Sequence, residues 1–175
     1  IAGSSFVLQE EFGLDEQQFA IVFAAGAISL IGASQLNVLL LGRFAPVQIV
    51  LAALSFAVLA GGVMAVLAIA EIGGMAGFVI PLWFVLGAVG FVMPNAPALA
   101  LSRHGEAAGG AAALLGAAQF GLGAIVAPIV GALGNDAVAV STTMVVTSAA
   151  ALAALGVITA RSSSKAVSSV RATTH

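Results

Sequence analysis

Five long stretches without a charged residue dominate this 175-residue chain. They cover 17–41, 47–70, 76–101, 107–133 and 137–160, and none contains Asp, Glu, Lys, Arg or His. At about 1.5 Å per residue, the shortest of them forms a helix of about 36 Å, longer than the roughly 30 Å hydrocarbon core of a bilayer. Membrane strands are a poor alternative because the stretches are apolar on every side instead of alternating. The pattern predicts an all-α bundle of five transmembrane helices.

Composition supports a membrane as the solvent. Hydrophobic residues make up 61% of the chain and charged residues 7%, against about 25% charged in soluble domains. Five Lys and Arg with a net charge of −2 give no basic patch for nucleic acid. We therefore expect lipid as a partner and no nucleic acid.

Catalytic and cofactor chemistry finds little support in this sequence. The chain has no Cys, its two histidines are His104 and His175, and it carries no phosphate-binding glycine loop. No titratable side chain lies within a predicted span, so a proton relay must be held elsewhere. We predict no enzymatic activity, no metal and no cofactor.

The ends of the spans carry recognisable signals. Asp15 precedes Gln18 by three residues, which predicts a capping box and a helix start near Glu16. Pro46 ends the first connection, and Asp136 can cap the last helix. The connections are short, so sequential helices are expected to be antiparallel neighbours.

The two ends of the chain lie outside the five spans. Residues 1–8 are apolar but too short to cross, and we interpret them as the end of a truncated transmembrane helix in a longer protein. Residues 161–175 lack apolar periodicity and are predicted to be a disordered cytoplasmic tail.

Charge divides between the two sides of the predicted membrane. All five basic residues fall on one side, whereas every acidic residue except Glu106 falls on the other. The positive-inside rule assigns the basic side to the cytoplasm. We therefore expect a multi-pass protein of the inner (plasma) membrane with a cytoplasmic carboxy terminus.

A few amide side chains lie inside the spans, away from their first residues. They are Gln35, Asn37, Asn95 and Gln119. A buried amide costs a few kcal/mol unless it finds a partner, so each should face the protein interior or a cavity. Gln119, beside Phe120 near mid-span, suits either a site for amphiphilic ligands or an interhelical hydrogen bond. Gln35 and Asn37 lie nearer the cytoplasmic end, where hydration is the alternative.

Other residues in the spans leave two readings open. Trp83 is either an interface anchor or a ligand-stacking residue, whereas Ser29, Ser34 and Ser55 are expected to bond to their own helix backbones. Pro94 and Pro97 predict either a hinge or the end of the third helix. Small residues around Pro128, including Gly123 and Gly131, serve either helix packing or gating.

Three segments resemble the carboxy-terminal half of Bcr/CflA-type drug:proton antiporters of the major facilitator superfamily. They are SFVLQEEFGL at 5–14 with QQF at 17–19, GASQLN at 32–37 and FVMPNA at 91–96. The resemblance covers nearly the whole chain to about residue 160. It implies the last six helices of a twelve-helix fold, the first of them truncated, and a missing amino-terminal half.

Two shorter motifs add to the resemblance. GAIVAPIVG at 123–131 is similar to the antiporter motif, and LGRFAP at 41–46 resembles the cytoplasmic loop motif, although Gly42 replaces the usual Asp. Together they imply gating roles for Arg43, Gly123, Pro128 and Gly131.

Two functions follow as hypotheses. The first is the carboxy-terminal part of a proton-coupled multidrug efflux transporter that moves small apolar or cationic compounds by alternating access. Its pathway would include Gln119, Phe120, Asn95, Gln35 and Asn37. The second is a non-transporting membrane scaffold or subunit that pairs with a separate polypeptide.

Overall fold

The computed structural model describes residues 4–5, 7–101, 108–134 and 136–172, the last twelve by their backbone. Every regular element in these ranges is helical. Five long helices follow one another along the chain: α1 (Glu16–Leu41), α2 (Pro46–Ile69), α3 (Gly74–Leu101), α4 (Ala108–Ala132) and α5 (Ala137–Ala172). Each contains a stretch long and apolar enough to cross a membrane, which confirms an all-α chain with five candidate spans.

The predicted helix starts are set by local caps. Asp15 accepts a hydrogen bond from the Gln18 backbone N–H at 2.7 Å, and the Gln18 side chain accepts one from the Asp15 N–H at 3.2 Å. This is the predicted capping box, and α1 begins at Glu16. Pro46 occupies the first turn of α2, where its missing N–H costs nothing.

The amino-terminal segment packs into the bundle. Residues Ser4 and Ser5 are helical, and Val7–Glu11 forms a π-helical turn. Val7 and Leu8 are buried against Met64 of α2, Phe78 of α3 and Val140 of α5. The described part of this segment is helical, and it contributes to the apolar core.

The carboxy-terminal prediction differs from the structure. A disordered tail was expected from residue 161, whereas α5 continues to Ala172. Residues 157–172 contain neither Gly nor Pro, so no strong helix breaker stops the helix after the apolar span. The last three residues lie outside the described ranges.

The helices are unequally packed. Both α1 and α2 pack extensively against α3, and α2 also packs against α5. Gly61 of α2 lies close to Val145 of α5, where an added Cβ would be 3.1 Å from Val145 Cγ2. By contrast, α4 makes few contacts with the other described helices.

Acidic groups gather at one end of the bundle. Glu11 and Glu71 line the same small cavity of about 130 Å³. Glu11 also accepts a hydrogen bond from the Ala137 backbone N–H at 2.7 Å, while Asp136 accepts one from the Ala139 N–H at 2.7 Å. Both carboxylates therefore cap the start of α5, a favourable position beside a positive helix end. The grouping agrees with the predicted alternation of the connections.

Candidate functional site

A face of small and polar side chains on α1 packs against α3. The buried residues of α1 are Gly26, Ser29, Ala33 and Asn37, spaced by three or four residues along one side. Opposite them, Gly90 of α3 approaches so closely that an added Cβ would collide with the Leu30 carbonyl oxygen. Small residues thus bring two backbones together, as is common between helices in membranes.

Two predicted site residues meet at this crossing. Asn37 and Asn95 are each 2% exposed, and Asn95 Nδ2 donates to Asn37 Oδ1 at 2.6 Å. The same amide nitrogen donates to the Phe91 carbonyl at 2.8 Å. The interior position expected for Asn95 is confirmed. Interfacial hydration of Asn37 is wrong, because its side chain is paired inside the bundle.

The proline at the crossing does not end its helix. Pro94 has no N–H, so the Gly90 carbonyl four residues earlier loses its usual donor. Ser34 Oγ of α1 donates to that carbonyl at 2.9 Å, and α3 continues through Pro94 and Pro97 to Leu101. A helix stop at these prolines is therefore excluded, while the hinge stays a prediction.

Further hydrogen bonds join α1 to α3 towards the middle of the bundle. Ser29 Oγ donates to the Trp83 carbonyl at 2.8 Å, and Trp83 Nε1 donates to the Ala25 carbonyl at 2.8 Å. The expectation that Ser29 and Ser34 bond to their own helix is wrong, because both hydroxyls donate to carbonyls of α3. It is correct for Ser55, which donates to Leu51 at 2.9 Å.

An apolar groove lies beside this crossing. Because α1 and α2 both pack on α3 but hardly touch each other, a cavity of about 720 Å³ opens between the three helices. Its walls include the aromatic side chains of Phe44, Phe56, Trp83, Phe84 and Phe91. Phe84 is edge-on to both Phe56 and Trp83, with ring centroids 6.0 and 5.4 Å away. We refer to this cavity as the aromatic groove.

Gln119 and Phe120 lie apart from the groove and from the Asn37–Asn95 pair. Both residues are on exposed parts of α4, and Phe120 is 81% exposed. The Gln119 side chain has no hydrogen-bond partner among the described residues. The described residues do not supply the interior position predicted for the Gln119 side chain. Gln35 is likewise exposed, on the side of α1 away from α3.

The predicted gating residues are spread over the bundle. Helix α4 continues through Pro128 to Ala132. Added Cβ atoms at Gly123 and Gly131 would meet nothing within 4 Å, so these glycines do not mediate packing between the described helices. Arg43 is exposed in the turn between α1 and α2. The structure does not bring these residues together.

The aromatic groove and the Ser29 and Ser34 contacts were not predicted from the sequence. The buried face of α1 could have been found from the three- and four-residue spacing of Gly26, Ser29, Ala33 and Asn37. The groove has no such signal, because it depends on which helices stay apart. Its aromatic residues come from three separate segments.

Comparisons with protein-family models, with curated proteins and with solved structures give no match. The fold and the five apolar helices define the class of the chain, a helical multi-pass membrane protein. A more specific assignment has to rest on the physical features of the site.

Proposed function

We propose that the chain is the carboxy-terminal part of a proton-coupled efflux transporter of the major facilitator type. It would move small apolar or cationic compounds across the cell membrane by alternating access. The carrying observation is Gln119, a polar side chain exposed near the middle of an apolar span. An amide facing hydrocarbon is costly, so its outer surroundings should be polar, as in a translocation pathway.

Several features of α4 support this proposal. Gln119 and Phe120 offer an amide and an aromatic ring on exposed parts of one helix. That combination suits amphiphilic compounds, which need apolar contact and a few placed polar groups. The coupling carboxylate and the facing half of the pathway would come from the amino-terminal half of such a transporter, because the five spans carry no titratable side chain.

Substitution of Gln119 tests the proposal in cells that express the complete reading frame. Gln119→Ala should alter the drug-resistance spectrum at unchanged expression, because it removes the polar group from the pathway. Gln35→Ala is the comparison. It removes another exposed amide from a span, at a predicted pathway position that lies nearer the cytoplasmic end. An unchanged spectrum for Gln119→Ala would contradict a role in substrate contact.

The second candidate function is a non-transporting scaffold or subunit. The open glycine positions of α4 favour it, since they would let a helix of another polypeptide approach closely. Because the chain has no native Cys, Gln119→Cys can distinguish the two functions. Labelling by a water-soluble thiol reagent supports the transporter, whereas protection together with cross-linking to another polypeptide supports the subunit.

A further inference from the structure

The aromatic groove ends beside a cation. Leu40 and Phe44 both line the groove, and Arg43 lies in the turn between them with its side chain exposed. The described carboxylates belong to connections at the opposite end of the bundle, where Glu11 and Glu71 share a cavity. The charge at this end of the groove is therefore positive and is not offset by a neighbouring described acid.

Hydrogen-bond donors reinforce the positive charge at this end. Helix α2 begins at Pro46, and the positive end of its dipole faces the same turn. Gln48 lines the groove, and its Oε1 accepts from the Ala45 backbone N–H at 3.0 Å, which leaves the amide NH₂ group as a donor. A cation, a helix start and an amide donor are complementary to an anion.

The groove itself is suited to hydrocarbon. It extends along α1 from Ile28 to Leu40, which is about 18 Å at 1.5 Å per residue. None of the described residues that line it is charged, and two of its walls, α1 and α2, hardly touch each other. An acyl chain can therefore enter from the bilayer without crossing a polar barrier.

From these features we infer that the aromatic groove binds an anionic phospholipid, with acyl chain between α1, α2 and α3 and phosphate headgroup at Arg43. The ligand would be drawn laterally from the leaflet that faces the basic end of the bundle. Anionic lipids are attracted to juxtamembrane Arg and Lys, which gives the preference for an anionic over a zwitterionic headgroup. The site is separate from Gln119. Lipid binding there is a property beyond the proposed transport function.

Trp83 provides a direct reporter because it is the single tryptophan and lines the groove. The purified full chain is reconstituted in mixed vesicles of phosphatidylglycerol and phosphatidylcholine, with bromine on the acyl chains of one lipid at a time. Bromine quenches indole fluorescence on contact. We expect phosphatidylglycerol to be favoured about fivefold at the groove, the preference that one basic residue provides.

Two sets of variants, one of arginines and one of glycines, assign the site. Arg43→Gln should remove the fivefold preference, whereas Arg43→Lys and the charge-matched Arg171→Gln should keep it. Gly32→Leu should lower quenching by both lipids, because Gly32 lines the groove and an added Cβ there meets nothing within 4 Å. Gly62→Leu, at another open glycine position that does not line the groove, should leave quenching unchanged.

Several outcomes would overturn the inference. Equal quenching by the two lipids would make the groove an ordinary lipid-facing surface. If inorganic phosphate at constant ionic strength abolishes the preference, Arg43 binds a free anion and not a lipid headgroup. If tetraphenylphosphonium protects Trp83 from quenching by brominated lipid, the groove binds a transported cation. A preference that persists in folded Arg43→Gln protein would exclude Arg43. None of these results bears on Gln119.

Discussion

At the scale of single residues, the buried Asn37–Asn95 hydrogen bond joins α1 to α3. Asn95→Ala should lower the free energy of unfolding by about 1–2 kcal/mol, because it leaves the Asn37 carboxamide buried without its donor. Asn37→Ala should cost a similar amount. Unfolding of the purified protein in detergent, followed by circular dichroism, measures both values.

The double variant Asn37→Ala/Asn95→Ala closes the thermodynamic cycle. Its cost should be smaller than the sum of the two single variants, since neither partner is then left unpaired. Gln35→Ala, at an exposed position on the same helix, should change little. Strict additivity of the two single variants would show that the hydrogen bond does not couple the helices.

Ser34 and Pro94 form a second pair of residues that a double variant can test. Ser34→Ala should destabilise the protein by about 1 kcal/mol, because the Gly90 carbonyl then has no donor. Replacing Pro94 by Ala supplies a backbone N–H to the same carbonyl, so the loss from Ser34→Ala should largely disappear in the double variant. The same unfolding experiment measures it.

Ser55→Ala is the control for the serine substitution, because Ser55 bonds within its own helix. If Ser34→Ala remains equally costly when Pro94 is replaced, the hydroxyl does not compensate for the missing N–H. Such a result would mean that the Ser34 hydroxyl is not what allows α3 to continue through Pro94.

At the scale of helices, the close crossing of α1 and α3 depends on Gly90. Gly90→Ala should destabilise the protein by about 1–3 kcal/mol, because the new Cβ collides with the Leu30 carbonyl oxygen and would lie 2.9 Å from Ala33 Cβ. Gly121→Ala in α4 is the matched control. It meets nothing within 4 Å and should stabilise its helix by up to about 1 kcal/mol.

Thermal midpoints in one detergent compare these two glycine variants directly. A tolerated Gly90→Ala would mean that α1 and α3 can separate at little cost, contrary to a tight crossing. A strongly destabilising Gly121→Ala would instead reveal a packing surface on α4 that the described helices do not supply.

At the scale of the whole molecule, the connections alternate between two ends, and this sets a topology. Arg43→Cys should react with a thiol reagent from the cytoplasmic side, and Glu71→Cys from the outside, because the basic end is expected to face the cytoplasm. Side-selective labelling in intact cells and in inverted vesicles measures both positions against a background without native Cys. Outside access at position 43 would reverse the orientation.

Sequence patterns predicted the helices because the physical causes are local. An uncharged stretch of 24 or more residues is sufficient to specify a span, and the Asp15–Gln18 box fixes the start of α1 within one turn. Apolar periodicity stops near residue 160, whereas α5 continues to Ala172 through a segment without Gly or Pro. The absence of helix breakers permits this extension, but apolar periodicity alone gives no signal for it.

The candidate site was predicted in part, for a different reason. Asn37 and Asn95 were selected one by one, since a buried amide needs a partner, but their pairing depends on how α1 crosses α3. Gln119 was selected by the same rule and lies on an exposed part of α4. The rule identifies which side chains need a polar neighbour, and tertiary packing decides whether the chain itself provides one.

The sequence alone determined the solvent of this protein, the number of its spans and the grouping of its charges, because these follow from the transfer free energy of each segment and from its length. The tertiary structure decided which helices touch. Close approach at Gly90 brought Asn37 to Asn95, and the separation of α1 from α2 opened the aromatic groove. Such features depend on contacts between residues more than fifty positions apart, which no local pattern encodes.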